Sequence, residues 1–516
     1  MKRQAWGTRL GIIMAVAGSA IGLGNFLRFP VQAASNGGGA FMIPYFISLF
    51  LLGIPLMWVE WTLGRYGGGF EHGTAPGIFH TMWQKNRFIK YFGVIGIFGP
   101  LVIFIYYTYI ESWTLAYSFF ALSGRYAGAT TQLSMQSFLK GFQGLEHNQY
   151  FSNLTPAYIF FIITFLANIT VIYYGIKGGI EKLCKVAMPL LFVFGIIIMI
   201  RVLALGTPDP TRPTWSLING LGFLWNPNFS ALKSGRVWLA AAGQIFFTLS
   251  VGIGVILTYA SYLSKGDDVV LSGLSAVSMN EFAEVIIGGS IVIPAAFVFF
   301  GPVDIGVIAK SGAFNLGFVT MPLIFEKIIF GAFFGCIWFL LLFLAGITSS
   351  VSLAQPAVAF LEDEFNITRA KAVSIFGIAT FILCQPAIFL LGKGVVNELD
   401  FWGGTFCLVL FATVEIILFA WIFGTEKAWE EIHRGADMSV PKIYKFIIKY
   451  VTPLFLLFVL GFWLYQDGMP VILMKNVSAS DKPFVFATRL FLTIIFIVLA
   501  IMVKIAWRRK RKEVGP

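Results

Sequence analysis

Apolar residues run along this chain in blocks of about 20, a length that crosses a bilayer core of about 30 Å. Short polar or basic stretches separate them. The blocks predict twelve spans, at residues 9–32, 39–64, 91–122, 156–174, 186–205, 237–262, 277–300, 331–360, 373–391, 401–423, 446–464 and 484–503. Two blocks are interrupted at mid-length. The first lies in "AGSAIGLGNFLRFPVQAASNGGGAF" (17–41), with Gly22, Gly24 and Asn25 at its centre and Arg28 just beyond. The sixth reads "AAAGQIFFTLSVGIGVILTYASY", with Gly252 and Gly254 at its centre.

A broken span bares backbone N–H and C=O groups at membrane depth. Lipid cannot bond them, so a break persists only where it lines a cavity or binds something. One break could reflect packing glycines alone. Two breaks, each opening a set of five spans, point to an inverted repeat with a binding site between its halves. A half-helix N-terminus suits an anion, and unwound carbonyls suit a cation.

Composition narrows the class. Mean hydropathy is +0.81, and only 12% of the 516 residues are charged. This is a polytopic membrane protein, not a soluble enzyme. The net charge of +12 belongs to loops and termini rather than to a nucleic-acid surface. The four cysteines (Cys184, Cys336, Cys384, Cys407) fall in apolar runs without a close pair, which suggests neither a disulfide framework nor a zinc site. The four histidines have no paired spacing. No nucleophile–base pair or repeated filter sequence speaks for an embedded enzyme or a channel. The start of the chain imitates a signal peptide up to Ala20. The apolar character continues past that point, so an uncleaved first span is expected.

Basic residues orient the chain. Lys2, Arg3 and Arg9, the loop "WQKNRFIK" (83–90), the segment 427–449 and the tail "KIAWRRKRKEV" fall on one face, with both termini, which reads as cytoplasmic. Orientation is the simpler role for the tail cluster, and anionic lipid is the other. The long connections 123–155 and 205–236 lie opposite. The amphipathic segment 308–325 reads as an external helical cap.

The stretches "RLGIIMAVAGSAIGLGNFLRFPVQAASNGGGAFMIPY", "GQIFFTLSVGIG", "SGLSAVSMNEFAEVIIGGSI" and "LAGITSSVSLAQP" resemble the neurotransmitter:sodium symporter family. The similarity covers nearly the whole chain and is weakest at 123–155 and in the last two spans. It implies an all-α membrane protein of twelve transmembrane helices. Residues 1–205 and 206–423 would form a five-plus-five inverted repeat with broken helices 1 and 6. Residues 424–516 would add two C-terminal helices and a basic tail, all in one integrated membrane domain. It further implies a sodium-coupled amino-acid symporter with alternating access in a prokaryotic plasma membrane. Its partners would be an amino-acid substrate and the lipid bilayer; a homodimer stays open, and nucleic acid has no place. A non-transporting sensor of the same fold stays open too.

Two sodium ions are the cofactors the resemblance implies. The first would use the Ala20 carbonyl and the side chains of Asn25, Thr248 and Asn280. The second would use carbonyls of Gly18, Ile21 and Ala345 with hydroxyls of Thr348 and Ser349. Such neutral oxygens favour sodium over a divalent ion. The substrate carboxylate would meet N–H groups near Leu23 and Gly24 and the Tyr107 hydroxyl. Its ammonium would meet carbonyls of Ala20, Phe247 and Thr248 and the Ser250 hydroxyl. Ile103, Tyr107, Phe247, Ile253, Ser349 and Leu353 would surround the side chain, with Ser19 beside the site. The family's leucine-carrying members place phenylalanine at Ile253, valine at Ile103 and asparagine at Ser19. A methylene changes discrimination by only about 1–3 kcal/mol, so an aromatic or small amino acid competes with a branched one as the preferred substrate. Monoamine carriers of the family have an aspartate at Gly22. Its absence here favours a substrate that brings its own carboxylate.

Arg28 and Asp400 would form an outer gate, closed beneath by Tyr107 and Phe247. Arg3 and Asp363 would form the inner gate, supported by Trp6, Ser261 and Tyr262. Glu60 and Glu111 lie within spans, where acids are expensive and usually serve a role. Glu60 is expected to satisfy N–H groups freed at the sixth-span break. In chloride-dependent members a serine matches Glu284. A carboxylate there already offsets sodium and repels chloride, so transport should not need chloride. Tyr45, Gln244, Thr248 and Asn280 match the positions that hold chloride in those members.

Overall fold

The computed structural model describes residues 4–513, and its regular structure is helical; an isolated antiparallel bridge joins Gly38 and Pro227. Ten helices among the described residues are long and apolar enough to cross a membrane. They are Gly39–Gly68, Ile89–Ser123, Thr155–Tyr173, Ile176–Leu203, Val270–Lys310, Gly331–Phe365, Arg369–Phe389, Val395–Ile422, Ile443–Gln466 and Lys482–Arg509. The pair Arg9–Ala20 and Leu23–Ser35, bent by 48°, makes one broken span. Helices Gly235–Leu249 and Val255–Ala260 make the other, between Ile176–Leu203 and Val270–Lys310. Together they fill the twelve expected places, called spans 1 to 12 below.

Span ends mostly lie beyond the apolar blocks. Span 5 begins at Ile176 rather than 186, because "IKGGIEKLCK" continues the helix with polar residues. Span 8 runs to Phe365 for the same reason. Charge ends an apolar block without ending a helix, since Glu and Lys are good helix formers.

Burial sorts the spans into an inner and an outer set. The most apolar stretch of span 3 is 89% buried, against 33% for spans 4, 5, 11 and 12. The inner spans surround the two breaks, and the outer ones carry exposed apolar side chains suited to lipid, such as Ile163, Val193, Phe458 and Ile494.

The external cap is shifted from its expected limits of 308–325. Span 7 continues to Lys310 after a bend at Gly301 (φ 76°, ψ 177°), with Pro302 next. The cap helix follows as Ala313–Glu326. It packs so closely that a Cβ on Gly317 would lie 2.7 Å from a Leu27 methyl of span 1. The long connections hold short helices of their own, Gln132–Phe142 capped by Thr131 and Leu217–Trp225 capped by Ser216.

Candidate functional site at the paired helix breaks

The first half-helix ends at Ala20, and Ile21 leaves helical geometry at φ −76°, ψ 93°. Gly22 is extended, and helix Leu23–Ser35 starts after it. Its end is capped from within: Asn25 Oδ1 accepts the Gly22 N–H at 2.9 Å. The Leu23 N–H reaches the Tyr107 hydroxyl oxygen only at 3.4 Å, so it stays available to a stronger acceptor. A Cβ on Gly22 would lie 3.2 Å from both Ser349 Oγ and Tyr107 Oη. A Cβ on Gly24 would lie 2.3 Å from the Phe247 ring. Glycine at 24 therefore lets Phe247 lie against the break.

In span 6 the helix stops at Leu249, and Ser250 adopts a left-handed conformation (φ 53°, ψ 28°). Gly252 and Gly254 follow at φ 76° and 85°. The Gly252 N–H donates to Glu60 Oε1 at 2.5 Å, the role expected for that buried acid. The Ser250 hydroxyl donates to the Ser19 carbonyl at 2.9 Å, which ties one break to the other.

Asn25, Thr248 and Asn280 meet in one buried cluster. Asn25 Nδ2 donates to Asn280 Oδ1 at 2.8 Å and to Thr248 Oγ1 at 3.0 Å. Beside it the Thr248 hydroxyl donates to Glu284, and Gln244 Nε2 and Tyr45 Oη donate to Glu284 Oε1, each at 3.0 Å. Glu284 lies in a π-helical stretch, Phe282–Gly288, that follows Asn280. The Asn25 amide is turned with its oxygen on Gly22 and its nitrogen toward Asn280. Cation binding there requires the oxygen to face the cluster. The donor set itself suits a small cation, being neutral oxygens beside the buried Glu284, with a second carboxylate, Glu281, accepting from Tyr45 Oη at 2.9 Å and Asn280 Nδ2 at 3.4 Å.

The second expected set also converges. The Ser349 hydroxyl lies 3.3 Å from the Gly18 carbonyl, 3.2 Å from that of Ser19 and 3.0 Å from that of Ala345. Thr348 Oγ1 bonds back to Leu344 and Ala345 at 2.9 and 3.2 Å. A Cβ on Gly18 would lie 3.1 Å from Thr348 Cβ. The Ser349 hydroxyl and the Thr348 Cβ thus sit against the end of the first half-helix, just before Ile21 leaves helical geometry.

Between the breaks lies a small cavity. Ser19, Ala20, Gly22, Leu23 and Ser250 form its polar end. Ile103, Tyr107, Phe247, Ile253, Ser349 and Leu353 form the rest, together with Tyr106, Gly404 and Leu408. The last three escaped the sequence reading. Gly404 and Leu408 lie in span 10, outside both breaks, where an apolar block gives no hint of which face turns inward. Asp400 at i−4 from Gly404 was the available signal.

The outer gate differs from the expected pair. Arg28 and Asp400 make no ion pair within 4.0 Å in this conformation. The Arg28 guanidinium instead stacks over the Phe247 ring, 4.4 Å from its centroid, and Asp400 accepts the Tyr106 hydroxyl at 2.6 Å. Each partner is held by an aromatic residue lining the cavity. On the opposite side, Arg3 lies outside the described residues, so its pairing with Asp363 does too. Trp6 Nε1 donates to the Tyr259 carbonyl at 3.0 Å. Gln355 Nε2 reaches Tyr262 Oη at 2.8 Å, and Ser261 Oγ bonds the Thr258 carbonyl at 2.6 Å. Other attachments there were not foreseen. Glu181 accepts the Gly7 N–H at 2.6 Å and the Thr8 hydroxyl at 3.0 Å. Arg9 pairs with both Asp268 and Asp437. Gln4 reaches Glu362 at 3.3 Å. Glu111 is satisfied within the bundle by Asn168 Nδ2 at 3.2 Å.

The model of the Sodium:neurotransmitter symporter family matches residues 3–138 and 129–509. An uncharacterized sodium-dependent transporter of Methanocaldococcus jannaschii is 30% identical over 513 residues, covering 98% of each chain. The sodium- and chloride-dependent glycine transporter 2 of Xenopus laevis is 26% identical over 90% of this chain and 64% of its own. The crystal structure of MhsT in complex with L-phenylalanine matches with a TM-score of 0.75 at 31% identity, over 89% of this chain and 99% of that one.

Proposed function

The chain belongs to the sodium:neurotransmitter symporter family as a sodium-dependent transporter, and from that premise we propose that it carries neutral hydrophobic L-amino acids by alternating access, with two sodium ions and without chloride. One observation carries the substrate reading. The polar end of the cavity holds backbone groups and neutral hydroxyls but no charged side chain, while its remaining walls are predominantly apolar. A zwitterion brings both charges the site can use. Its carboxylate takes the N–H groups of Leu23 and Gly24, where the helix dipole favours an anion, and the Tyr107 hydroxyl. Its ammonium takes the carbonyls of Ala20, Phe247 and Thr248 and the Ser250 hydroxyl. A monoamine would leave the half-helix N–H groups unpaired, a heavy loss in a buried site.

The first sodium ion takes Ala20, Asn25, Thr248 and Asn280, after the Asn25 amide turns its oxygen inward. The second takes Gly18, Ile21, Ala345, Thr348 and Ser349. Glu284 supplies the negative charge that chloride provides elsewhere in the family and can take up a proton when sodium leaves. Arg28 with Asp400 closes the site outside, and residues near Trp6 close it inside. The repeat halves are residues 1–205 and 206–423, residues 424–516 add the last two spans, and both termini are cytoplasmic. An aromatic preference is the second reading, favoured by the phenylalanine in the MhsT complex.

The test is uptake into proteoliposomes of leucine, methionine, alanine, phenylalanine, tryptophan, lysine, glutamate and dopamine. Uptake should follow a sodium gradient, fail in potassium and persist when gluconate replaces chloride. It should exclude lysine, glutamate and dopamine. Preference for dopamine overturns the substrate reading, and arrest without chloride overturns the role of Glu284. In Glu284→Ser, uptake should become chloride-stimulated.

A further inference from the structure

One buried acid has no part in the transport cycle described so far. Glu111 of span 3 is fully enclosed. It lies one helical turn past Tyr107, on the same face of the helix. Asn168 Nδ2 of span 4 donates to both of its carboxylate oxygens at 3.2 Å, and the same nitrogen also serves the Thr164 carbonyl at 3.0 Å. That amide meets the carboxylate's need for hydrogen bonds but carries no charge. No described Lys, Arg or His pairs with Glu111. A carboxylate held in the interior of a membrane bundle without a cation is costly. Its presence there points to a cation that comes and goes.

What holds Glu111 also aims it. The Asn168 amide is fixed from its other side, where Oδ1 accepts the Ser350 hydroxyl of span 8 at 2.6 Å. Ser350 directly follows Thr348 and Ser349 in the chain. The acid itself lies against the same turn of span 8. A Cβ on Gly346 would stand 2.9 Å from Glu111 Cγ, so glycine at 346 is what lets the acid approach. Gly346 sits between Ala345, whose carbonyl is an expected sodium ligand, and the two expected hydroxyl ligands.

The second sodium set lacks what Glu111 has. Its carbonyls and hydroxyls are all uncharged, whereas the first set has the buried Glu284 beside it, accepting from Thr248. An acid without a cation and a cation site without an acid thus stand on two sides of one glycine. We infer that Glu111 is the counter-charge of the second sodium site, fixed by Asn168 and acting across Gly346 rather than as a ligand. This role presupposes the two sodium ions proposed above. The neutral oxygens then select the ion by size and hardness, and Glu111 sets how tightly it is held.

The test is the melting temperature of the full chain in detergent, followed as sodium replaces potassium without substrate. Glu111→Gln keeps the shape of the side chain and removes its charge. It should melt in potassium at least as high as the wild type, while the sodium concentration that gives half the melting shift rises at least about tenfold, the scale of one charge interaction in a protein interior. Glu111→Asp, which keeps the charge, should recover most of the wild-type sodium curve. Two backgrounds assign the effect to a site. In Asn25→Ala the second site supplies what sodium shift remains, and Glu111→Gln should remove it. In Thr348→Ala with Ser349→Ala, Glu111→Gln should move half-saturation by about twofold or less, because the partner is already gone. A wild-type sodium curve in Glu111→Gln overturns the inference alone. A collapse of its melting temperature in potassium does so too, by making the acid a structural one. A tenfold loss that persists without the Thr348 and Ser349 hydroxyls would assign the charge to the first site instead. A wild type with no sodium shift at all overturns the two-sodium reading and this role together.

Discussion

Gly22 carries the chain through the first break at φ −117°, ψ −166°, an extended conformation open to any residue. Ser250, Gly252 and Gly254 carry the sixth through φ values of 53°, 76° and 85°. The first break is held by a side chain, through the Asn25 carbonyl on the Gly22 N–H. The second has a side chain on it too, Glu60 at the Gly252 N–H, but its path is left-handed backbone in tight surroundings. A Cβ on Gly252 would lie 2.6 Å from the Leu408 carbonyl oxygen, and one on Gly254 the same distance from that of Gly96. Equivalent positions in two halves of a molecule therefore reach the same end by different physics. Damage at the second break should fall on the fold, and damage at the first on what the site binds.

Gly254→Ala tests the stronger half of that contrast. A left-handed alanine costs about 1–2 kcal/mol, and crowding against a fixed carbonyl adds about 1–3 kcal/mol. The variant should lose several degrees of apparent melting temperature in detergent, with or without sodium. A melting curve matching the wild type would show that span 3 yields easily at Gly96.

Asn25→Ala should have a smaller effect on the protein without ligands, about 1 kcal/mol for a lost helix cap. Its larger consequence should appear with sodium. The wild type should melt higher in sodium than in potassium by ligand linkage, and the variant should lose most of that difference. Full retention of the sodium shift would remove Asn25 from the ion site.

Gly22→Ala should change stability least, because its backbone is unstrained and the atoms a new Cβ would meet at 3.2 Å are side-chain hydroxyls rather than fixed carbonyls. The added methyl would nevertheless stand 3.2 Å from Ser349 Oγ and Tyr107 Oη, where the substrate carboxylate is placed. Leucine or phenylalanine binding, measured by scintillation proximity, should weaken at least tenfold. Unchanged affinity together with unchanged stability would move the carboxylate elsewhere.

The first break was legible because asparagine and two glycines in an apolar block are chemically conspicuous. Glu60 was legible for the same reason, a lone acid opposite a gap in hydrogen bonding. The twelve spans followed from length and hydropathy, although charged but helix-forming residues hid the true ends of spans 5 and 8. Tyr106 and Leu408 were not legible. Both lie in apolar runs whose inward face is set only by packing against other helices. The contact of Arg28 with Phe247 was hidden by a different limit. The family resemblance implied a pair with Asp400, but an aromatic face competes for the guanidinium. Glu181 was passed over because an acid at the start of an apolar block reads as a boundary charge. Its partners, Gly7 and Thr8, lie more than 170 residues away in the chain.

Those same attachments bear on how the molecule can be handled. Residues 4–9 act as a strap. They are fastened to span 5 through Glu181, to span 6 through Tyr259, to the connection before span 7 through Asp268, to span 8 through Glu362 and to the segment before span 11 through Asp437. Any load applied ahead of Gln4 is shared at once among five parts of the bundle. In the alternating access proposed above, the strap has to release before the first half-helix can move. A bulky fusion or surface tether at that end would pull on the strap, whereas a reporter in the exposed connection around Gly206 would ride on the molecule as a passenger.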